Sequence, residues 1–321
     1  MLWWHAALLG LVEGITEYLP ISSTGHLIIV TGLLGLGGDP TTKSAIDAFT
    51  IVIQGGAILA VLGLYRRRVG QMIRGLAGRD RVGLKLAINL GVAFIPAAVL
   101  GVLLDDWIGS RLFSTWPVLA ALALGGVYMM VVDRLRKRRG EDEPAVDITE
   151  LTIRKSLIIG LMQCVAMWPG TSRSMMTITG GVLVGLRPRQ AAEFSFLLGL
   201  PTLGGACVYK LGKNLKQSHD AGTANMFDTI GWTAVVIGLA VATVSAALAI
   251  KWLVGFLNRH GLTPFGWYRL VLAAVLGAMI GLGFVSIGPG KADVAIEQRD
   301  AGLPDESLVQ PDQTSADTDT R

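Results

Sequence analysis

Apolar residues run along this chain in long stretches, and short clusters of charged residues separate one stretch from the next. An α-helix needs about 20 consecutive, mostly apolar residues to cross the hydrocarbon core of a bilayer. Six stretches approach that length, so the pattern predicts an all-α polytopic membrane protein with six transmembrane helices. The predicted spans are residues 49–65, 84–104, 116–132, 191–208, 229–254 and 267–287.

Two further apolar segments, residues 3–35 and 156–186, are broken near their middle. Pro20 and Pro169 lie there within stretches rich in Gly, Ser and Thr, and proline interrupts the hydrogen bonding of a helix. Non-helical backbone at membrane depth persists only where protein buries it or where it lines a wet cavity. We therefore expect both segments to form re-entrant helix hairpins, each of which enters and leaves the membrane on one side.

Each half of the chain contains one broken segment followed by three spans, and the two halves share a faint sequence repeat. The segment GLVEGITEYLPISST begins at Gly10, and GLMQCVAMWPGTSRS begins 150 residues later at Gly160. Three crossings in each half is an odd number, so the second repeat should be inverted relative to the first. The predicted divisions are a first repeat at residues 1–133, a basic loop at 134–155, an inverted second repeat at 156–288 and a disordered polar tail at 289–321.

The distribution of charge predicts the orientation of this arrangement. The chain is 51% hydrophobic and 16% charged, with a formal net charge of +4, and the excess of Arg and Lys falls in residues 66–85 and 134–155. Basic loops beside spans stay in the cytoplasm, which leaves the first hairpin and residues 105–114 on the outer side. The two hairpins then enter from opposite faces and meet near the midplane. Because membrane orientation already accounts for the basic loops, we expect no nucleic-acid partner.

Most of the polar residues suited to chemistry lie in the two hairpins. The segment EGITEYLPISSTGH, from Glu13 to His26, places Glu13 and Glu17 four residues apart on one helix face. The second hairpin supplies Arg173 within PGTSRS. An ionisable side chain at membrane depth costs roughly 2.5–3.5 kcal/mol to insert. A structural ion pair is one explanation for residues of this cost, but a polar active site accounts for more of them.

This set of side chains suits a phosphate group. The guanidinium of Arg173 and the hydroxyl groups and free amides at a helix break are ligands for phosphate oxygens. Glu13 and Glu17 would repel phosphate unless a divalent cation lay between them, and Mg²⁺ favours carboxylates together with substrate phosphates. His26 exchanges a proton near neutral pH. The residues therefore predict phosphoryl transfer with a divalent cation, Mg²⁺ or Ca²⁺, as cofactor.

Three motifs carry a resemblance to a known family. The segments EGITEYLPISSTGH and PGTSRS, together with AAEFSFLLGLP from Ala191, resemble the undecaprenyl pyrophosphate phosphatase family, also called the bacitracin-resistance family, over residues 1–288. The resemblance implies hydrolysis of undecaprenyl diphosphate to undecaprenyl phosphate plus phosphate, which recycles the lipid carrier for cell-wall synthesis. It also implies a multi-pass protein of the bacterial inner membrane whose site faces the periplasm. Its partners would be a polyprenyl diphosphate and membrane lipids, and homodimerisation is left open.

Residue roles follow from matching the motifs position by position. Two positions depart from the family, since Met175 stands where many members have Gly and Thr50 where some relatives have an acid. Neither change removes a predicted functional group. We assign catalytic roles to Glu17, Ser23, His26 and Arg173, substrate binding to Ser22, Thr24, Thr171, Ser172 and Ser174, and metal binding to Glu13 and Glu17.

The nucleophile and one alternative function stay open at this point. The attacking group is Ser23, His26 or a water that His26 activates, with a covalent phospho-enzyme in the first two cases. A secondary transporter or lipid flippase is the main alternative, since inverted repeats with broken helices at the midplane are a usual transporter layout. Catalysis and return of the carrier across the membrane are compatible in one protein. A non-catalytic lipid-binding protein would leave His26 and Arg173 unexplained.

Overall fold

The protein is α-helical in the computed structural model, which describes residues 1–36, 40–138, 147–221, 225–285 and 287. Twelve helices and no strand are present in these residues. In chain order they are α1 (Trp3–Tyr18), α2 (Ser23–Leu33), α3 (Pro40–Leu64), α4 (Arg66–Leu76), α5 (Arg81–Leu112), α6 (Thr115–Arg138), α7 (Ile153–Val165), α8 (Arg173–Leu183), α9 (Pro188–Ala221), α10 (Met226–Ile230), α11 (Trp232–His260) and α12 (Thr263–Gly281).

The six predicted spans are confirmed, because α3, α5, α6, α9, α11 and α12 are each long and apolar enough to cross a membrane. Several boundaries were wrong. Residues 105–112, expected in an outer loop, continue α5, and the last span covers 263–281 rather than 267–287. The expected disordered tail at 289–321 and most of the basic loop, at 139–146, fall outside the described residues.

The basic segment at 66–85, expected as a loop, contains a helix of its own. α4 is amphipathic, with Arg66, Arg67 and Arg74 on one side. Gly75 lies directly against the backbone of Gly83 and Leu84, where a Cβ atom on Gly75 would come within 2.1 Å of the Leu84 nitrogen. The charged run is therefore the solvated face of a short helix that packs closely on the start of α5.

Each broken segment forms a helix hairpin at the predicted place. α1 and α2 are joined by a turn at residues 19–22, and α7 and α8 by a turn at residues 166–172. Ser22 and Ser172 end these turns with φ values of 74° and 77°, the two positive values found at non-glycine residues in the described chain. Each serine caps the helix that follows by accepting a backbone N–H, from Gly25 and Met175 respectively. Such backbone strain costs on the order of 1–3 kcal/mol and persists where the surrounding structure imposes it.

Corresponding spans of the two halves pair in opposite directions. Along α3 and α9, Cys207 Sγ donates to Ile51 O at 3.0 Å, while the rings of Tyr65 and Phe196 lie 6.1 Å apart at the other end. The pair α6 and α12 likewise joins its ends in reverse order, because Asp133 contacts Thr263 and Ala121 contacts Arg269. Antiparallel partners are what an inverted repeat requires.

The first helix of each hairpin packs on a span of the opposite half through small residues. α1 lies on α11, where a Cβ atom on Gly14 would come within 2.0 Å of Ser245 Oγ. α7 lies on α5, where a Cβ atom on Gly160 would come within 2.4 Å of Ala93 O. The hairpins are thus held across the boundary between the repeats, and this places their tips together.

Candidate functional site

The two hairpin tips meet through direct polar contacts. Ser174 Oγ, at the start of α8, donates to the carbonyl oxygen of Leu19 in the first turn at 2.8 Å. Arg173 Nη2 donates to Glu17 Oε1 at 3.2 Å, and both side chains are about nine-tenths buried or more. Glu17, the acidic residue predicted from the first hairpin, is therefore in contact with Arg173, the basic residue predicted from the second.

Glu17 is the residue that joins the two sets of groups. Its second oxygen, Oε2, accepts a hydrogen bond from Ser23 Oγ at 2.9 Å. One carboxylate thus contacts a hydroxyl group at the N-terminus of α2 and a guanidinium at the N-terminus of α8. A buried ion pair of this kind adds little net stability to the fold, because both charged groups lose their hydration on burial. A gain in stability therefore does not explain why Glu17 and Arg173 are paired here.

Arg173 is held on several sides but keeps one unpaired donor. Nη1 donates to Ser195 O at 2.9 Å, and the guanidinium carbon lies 5.4 Å from the centre of the Tyr18 ring. The Nε–H is buried and has no hydrogen-bond partner. Burying a charged donor without an acceptor is costly, and a substrate phosphate oxygen would supply that acceptor.

Glu13 has the most unusual environment in the site. Its side chain is fully buried, and neither carboxylate oxygen has a hydrogen-bond partner. Gln54 and Glu17 face it, yet neither forms a hydrogen bond of good geometry with it. Two free oxygens beside a second carboxylate fit a hard divalent cation, which needs only one or two carboxylates when phosphate completes its ligands. Within the described residues, no group of three or more His, Cys, Asp and Glu side chains is placed to hold a metal ion.

His26 is engaged through both ring nitrogens. Nδ1 lies 2.7 Å from the carbonyl oxygen of Ser22, which can only accept, so Nδ1 carries a proton. Nε2 lies 2.7 Å from Tyr268 Oη, and in a neutral ring it accepts the hydroxyl proton of that tyrosine. His26 would have to exchange the hydroxyl of Tyr268 for a water before it could act as a base.

The remaining predicted residues divide into two groups. Ser22 and Ser172 cap helices, and Ser174 joins the tips, so their hydroxyl groups already hold the turns together. Thr171 is also buried. By contrast, Ser23 and Thr24 are only half-buried, in the first turn of α2. The structure thus brings all the predicted residues to the two tips and their flanking helices.

Arg269 in α12 was missed by sequence reasoning. It is fully buried and donates through Nη2 to Ala121 O at 2.9 Å and to Gly170 O at 2.8 Å, while Nε and Nη1 have no partner. It therefore ties the turn of the second hairpin to α6. The sequence did contain a signal for Arg269, which is a charged residue inside the apolar stretch 267–287. The cost of inserting a charge into the membrane, which drew attention to Arg173, applies equally to Arg269.

Tyr268 and Ser195 were missed as well. Ser195 contacts both Arg173, through its carbonyl, and Thr177, whose Oγ1 lies 2.6 Å from Ser195 Oγ. Tyr268 contacts His26 across most of the chain length. Neither residue type is rare within a span, so composition alone carried no signal for them.

A profile of the family described as "Bacitracin resistance protein BacA" matches residues 6–275. The chain belongs to this family. A relative from Sorangium cellulosum named undecaprenyl-diphosphatase is 46% identical over 276 residues, which cover 86% of each chain. Proteins of the same name from Parvibaculum lavamentivorans and Acinetobacter baumannii are 44% and 42% identical, over 85% and 84% of this chain and 94% and 93% of theirs. The resemblance expected from the three motifs is confirmed, and the BacA member described here is a multi-pass membrane protein.

Proposed function

We propose that this chain hydrolyses undecaprenyl diphosphate to undecaprenyl phosphate and inorganic phosphate, the activity named for its relatives. The observation that carries the proposal is the contact of Glu17 with both Ser23 and Arg173. This contact brings together a hydroxyl group, a carboxylate and a guanidinium, which are groups that phosphoryl transfer uses. The product is the monophosphate carrier on which cell-wall precursors are built.

Ser23 is the nucleophile that this geometry favours. Glu17 Oε2 takes the proton from Ser23 Oγ as the Oγ–P bond forms, and the P–O bond of the anhydride breaks to release undecaprenyl phosphate. Water then attacks the phosphoserine, Glu17 returns its proton to Oγ, and the water oxygen and its protons leave in dihydrogen phosphate. The guanidinium of Arg173 binds the phosphoryl oxygens in both steps.

His26 supports a second version of the chemistry, in which it removes a proton from water and no covalent intermediate forms. The hydrogen bond from Tyr268 keeps Nε2 unprotonated, as a base requires, but also occupies it. The direct contact between Glu17 and Ser23 has no such obstacle. In the favoured version His26 holds the backbone of Ser22, and hence the position of Ser23, through Nδ1.

Glu13 and Glu17 would hold a divalent cation, Mg²⁺ or Ca²⁺, next to the substrate. The ion would neutralise the diphosphate, which the two carboxylates would otherwise repel. Glu13 fits this role because both its oxygens are free of protein donors. Glu17, whose oxygens already accept hydrogen bonds from Arg173 and Ser23, would use its remaining lone pairs for the ion.

We place the protein in the bacterial cytoplasmic membrane with the site open to the periplasmic side. The support is the excess of Arg and Lys at residues 66–85 and 134–155, which favours the cytoplasm for those segments. The antiparallel pairing of corresponding spans is also the layout of many transporters, and it supports return of the carrier as a second activity of the same fold.

Phosphate release from undecaprenyl diphosphate by purified protein in detergent tests the proposal. We expect wild type to be active with Mg²⁺ or Ca²⁺ and inactive in EDTA. Glu17→Gln and Arg173→Lys should each lower kcat/KM by at least about 100-fold. Glu17→Gln removes a negative charge, and Arg173→Lys removes the planar guanidinium that can bind two phosphate oxygens at once. Arg189→Lys, an exposed position in the same half, is the matched control and should keep the wild-type rate.

Rapid-quench trapping of radiolabelled phosphate distinguishes the two versions of the chemistry. Ser23 as nucleophile predicts label on wild-type protein and none on Ser23→Ala. An inactive wild type, or full activity in both Glu17→Gln and Arg173→Lys, would contradict the phosphatase assignment itself. Label that persists in Ser23→Ala would move the nucleophile to His26.

A further inference from the structure

A cleft with a mainly apolar lining lies between α5 and α7, away from the hairpin tips. Its volume is about 280 Å³, and it opens where both helices begin. The 13 residues of α7 span about 20 Å, which separates this cleft from the turn at 166–172. No residue of the proposed catalytic site lines it. It lies on the face that the charge distribution assigns to the cytoplasm.

Positive charge is concentrated at the mouth of the cleft. Arg81 and Lys85 are exposed one helical turn apart on α5, and neither forms an ion pair with any described residue. The N-terminus of α7 adds the positive end of a helix dipole. The Thr152 side chain caps the N–H of Lys155, and the N–H groups of Ile153 and Arg154 have no intrahelical acceptor. Glu150, just before α7, is exposed and opposes them in part. An anion is therefore the expected ligand at the mouth.

A buried acceptor lines the same cleft. Asn89 is 1% exposed, and its Nδ2 donates to Leu151 O at 2.8 Å. Its Oδ1 has no hydrogen-bond partner. A buried carbonyl oxygen left unpaired is costly, so a ligand that brings a hydrogen-bond donor would satisfy it. The ligand should thus carry a hydroxyl group beside its anionic charge.

The walls of the cleft continue into an apolar surface. Ile88 on α5 and Ile153 on α7 line it and are 45% and 58% exposed. Leu157 and Leu161 extend the α7 side at helical spacing and are likewise exposed. In a membrane this surface faces lipid, so hydrocarbon chains would lie along it.

We propose that the cleft binds an anionic glycerophospholipid with a phosphoglycerol headgroup, drawn from the leaflet on this face. The phosphate contacts Arg81, Lys85 and the N-terminus of α7. A headgroup hydroxyl donates to Asn89 Oδ1, and one acyl chain follows Ile153 and Leu157. The site is independent of the phosphatase reaction, and its test does not use activity.

Lipid retention by purified full-length protein, measured by native mass spectrometry after titration with single lipids, tests the proposal. Phosphatidylglycerol should bind more tightly than phosphatidylmethanol, which has the same charge but no headgroup hydroxyl, by roughly three- to tenfold for one hydrogen bond. Phosphatidylcholine should bind weakest. Asn89→Leu should remove the difference between the first two lipids and leave their common charge-driven binding.

A double variant tests the charge. Arg81→Gln/Lys85→Gln should weaken binding of phosphatidylglycerol by roughly 30-fold, about a factor of five for each cation at a membrane surface. Arg66→Gln/Arg67→Gln removes two exposed arginines from the neighbouring α4 and should change binding less than about twofold. Equal losses in both double variants would assign binding to general surface charge and overturn the proposal. A prenyl monophosphate that displaces phosphatidylglycerol at equal concentration would overturn the identity of the occupant.

Discussion

The two hairpins share a backbone and differ in chemistry. Ser22 and Ser172 adopt the same strained φ at equivalent places and cap equivalent helices. Around this common turn the first hairpin carries carboxylates, whereas the second carries Arg173 and, at the position of Glu13, the neutral Gln163. The backbone shape of a tip is therefore independent of its charged residues. The site forms because one tip contributes carboxylates and the other contributes a guanidinium.

Burial sharpens the difference between Glu13 and Gln163. Both are almost inaccessible to solvent. Gln163 Oε1 accepts a hydrogen bond from Thr202 Oγ1 at 3.3 Å. Its Nε2 has no partner, but a neutral amide costs less to bury than a carboxylate. Glu13 has two oxygens without a donor. A buried carboxylate without a donor is present at this position only in the first hairpin, and this marks the position of Glu13 as one adapted to bind a ligand.

The largest effect is expected from making the first tip like the second. Glu13→Gln should lower kcat/KM for phosphate release by about 10²–10³-fold, because it removes a charge that the proposed cation needs. The same change should raise the thermal stability of the metal-free protein in detergent, since a buried carboxylate is replaced by an amide.

The reciprocal change, Gln163→Glu, is the control for Glu13→Gln. It places an unneeded carboxylate in the second half and should destabilise the protein by about 1–3 kcal/mol. A Glu13→Gln protein that retains both its full rate and its sensitivity to EDTA would show that Glu13 does not hold the cation.

The next effect concerns the contacts that both hairpins make alike. Gly14→Ala and Gly160→Ala should each destabilise the fold by about 1–3 kcal/mol, because the new methyl group would overlap α11 or α5. Thermal unfolding in detergent measures this. Gly91→Ala on α5, where a Cβ atom would meet nothing within 4 Å, should be neutral or slightly stabilising. Destabilisation at only one of Gly14 and Gly160 would show that the halves are not held equivalently.

A smaller effect is expected from the contact of His26, in the first hairpin, with Tyr268 on α12. Tyr268→Phe removes the hydroxyl group from His26 Nε2 and should reduce kcat about tenfold, since the ring then loses its fixed orientation. Tyr209→Phe, an exposed tyrosine on α9, should leave the rate unchanged. A rate increase in Tyr268→Phe would instead indicate that Tyr268 restrains His26 from acting as the base.

The smallest effect separates the two capping serines. Ser22→Ala and Ser172→Ala should each cost about 1 kcal/mol of stability through loss of the cap. The loss should be slightly larger at Ser172, whose Oγ also lies 3.0 Å from Ser174 Oγ. Chemical denaturation in mixed micelles resolves the two values, and an equal loss would argue against a contribution from Ser174.

The sequence was sufficient for those parts of the fold that depend on local physics. Pro20 and Pro169 break apolar segments, and the structure turns near both of them. Apolar length located the six spans. The helix α4 was not predicted, because its many charged residues were interpreted as a loop. Its arginines nevertheless recur at helical spacing on one side.

The site was predictable only where one short motif contained its residues. Glu17 and Ser23 are six residues apart, so their contact follows from a single helix break. Arg269 and Tyr268 reach the site through the packing of α12, and their partners there, Gly170 and His26, are 99 and 242 residues away in the chain. No local pattern encodes such a contact, and their roles became visible only when the tertiary fold placed them.

The antiparallel pairing of corresponding spans has a consequence for ancestry. Two identical copies of one half could assemble through the same contacts, provided that the half inserted into the membrane in both orientations. Such a dimer would carry every acid–cation contact twice. In the present chain the equivalent of Glu17 is Met167 and the equivalent of Arg173 is Ser23, so only one of the two contacts exists. Fusion of two such copies would have freed one position of each pair to diverge, and would have converted a symmetric centre with two acid–cation contacts into an asymmetric centre with one.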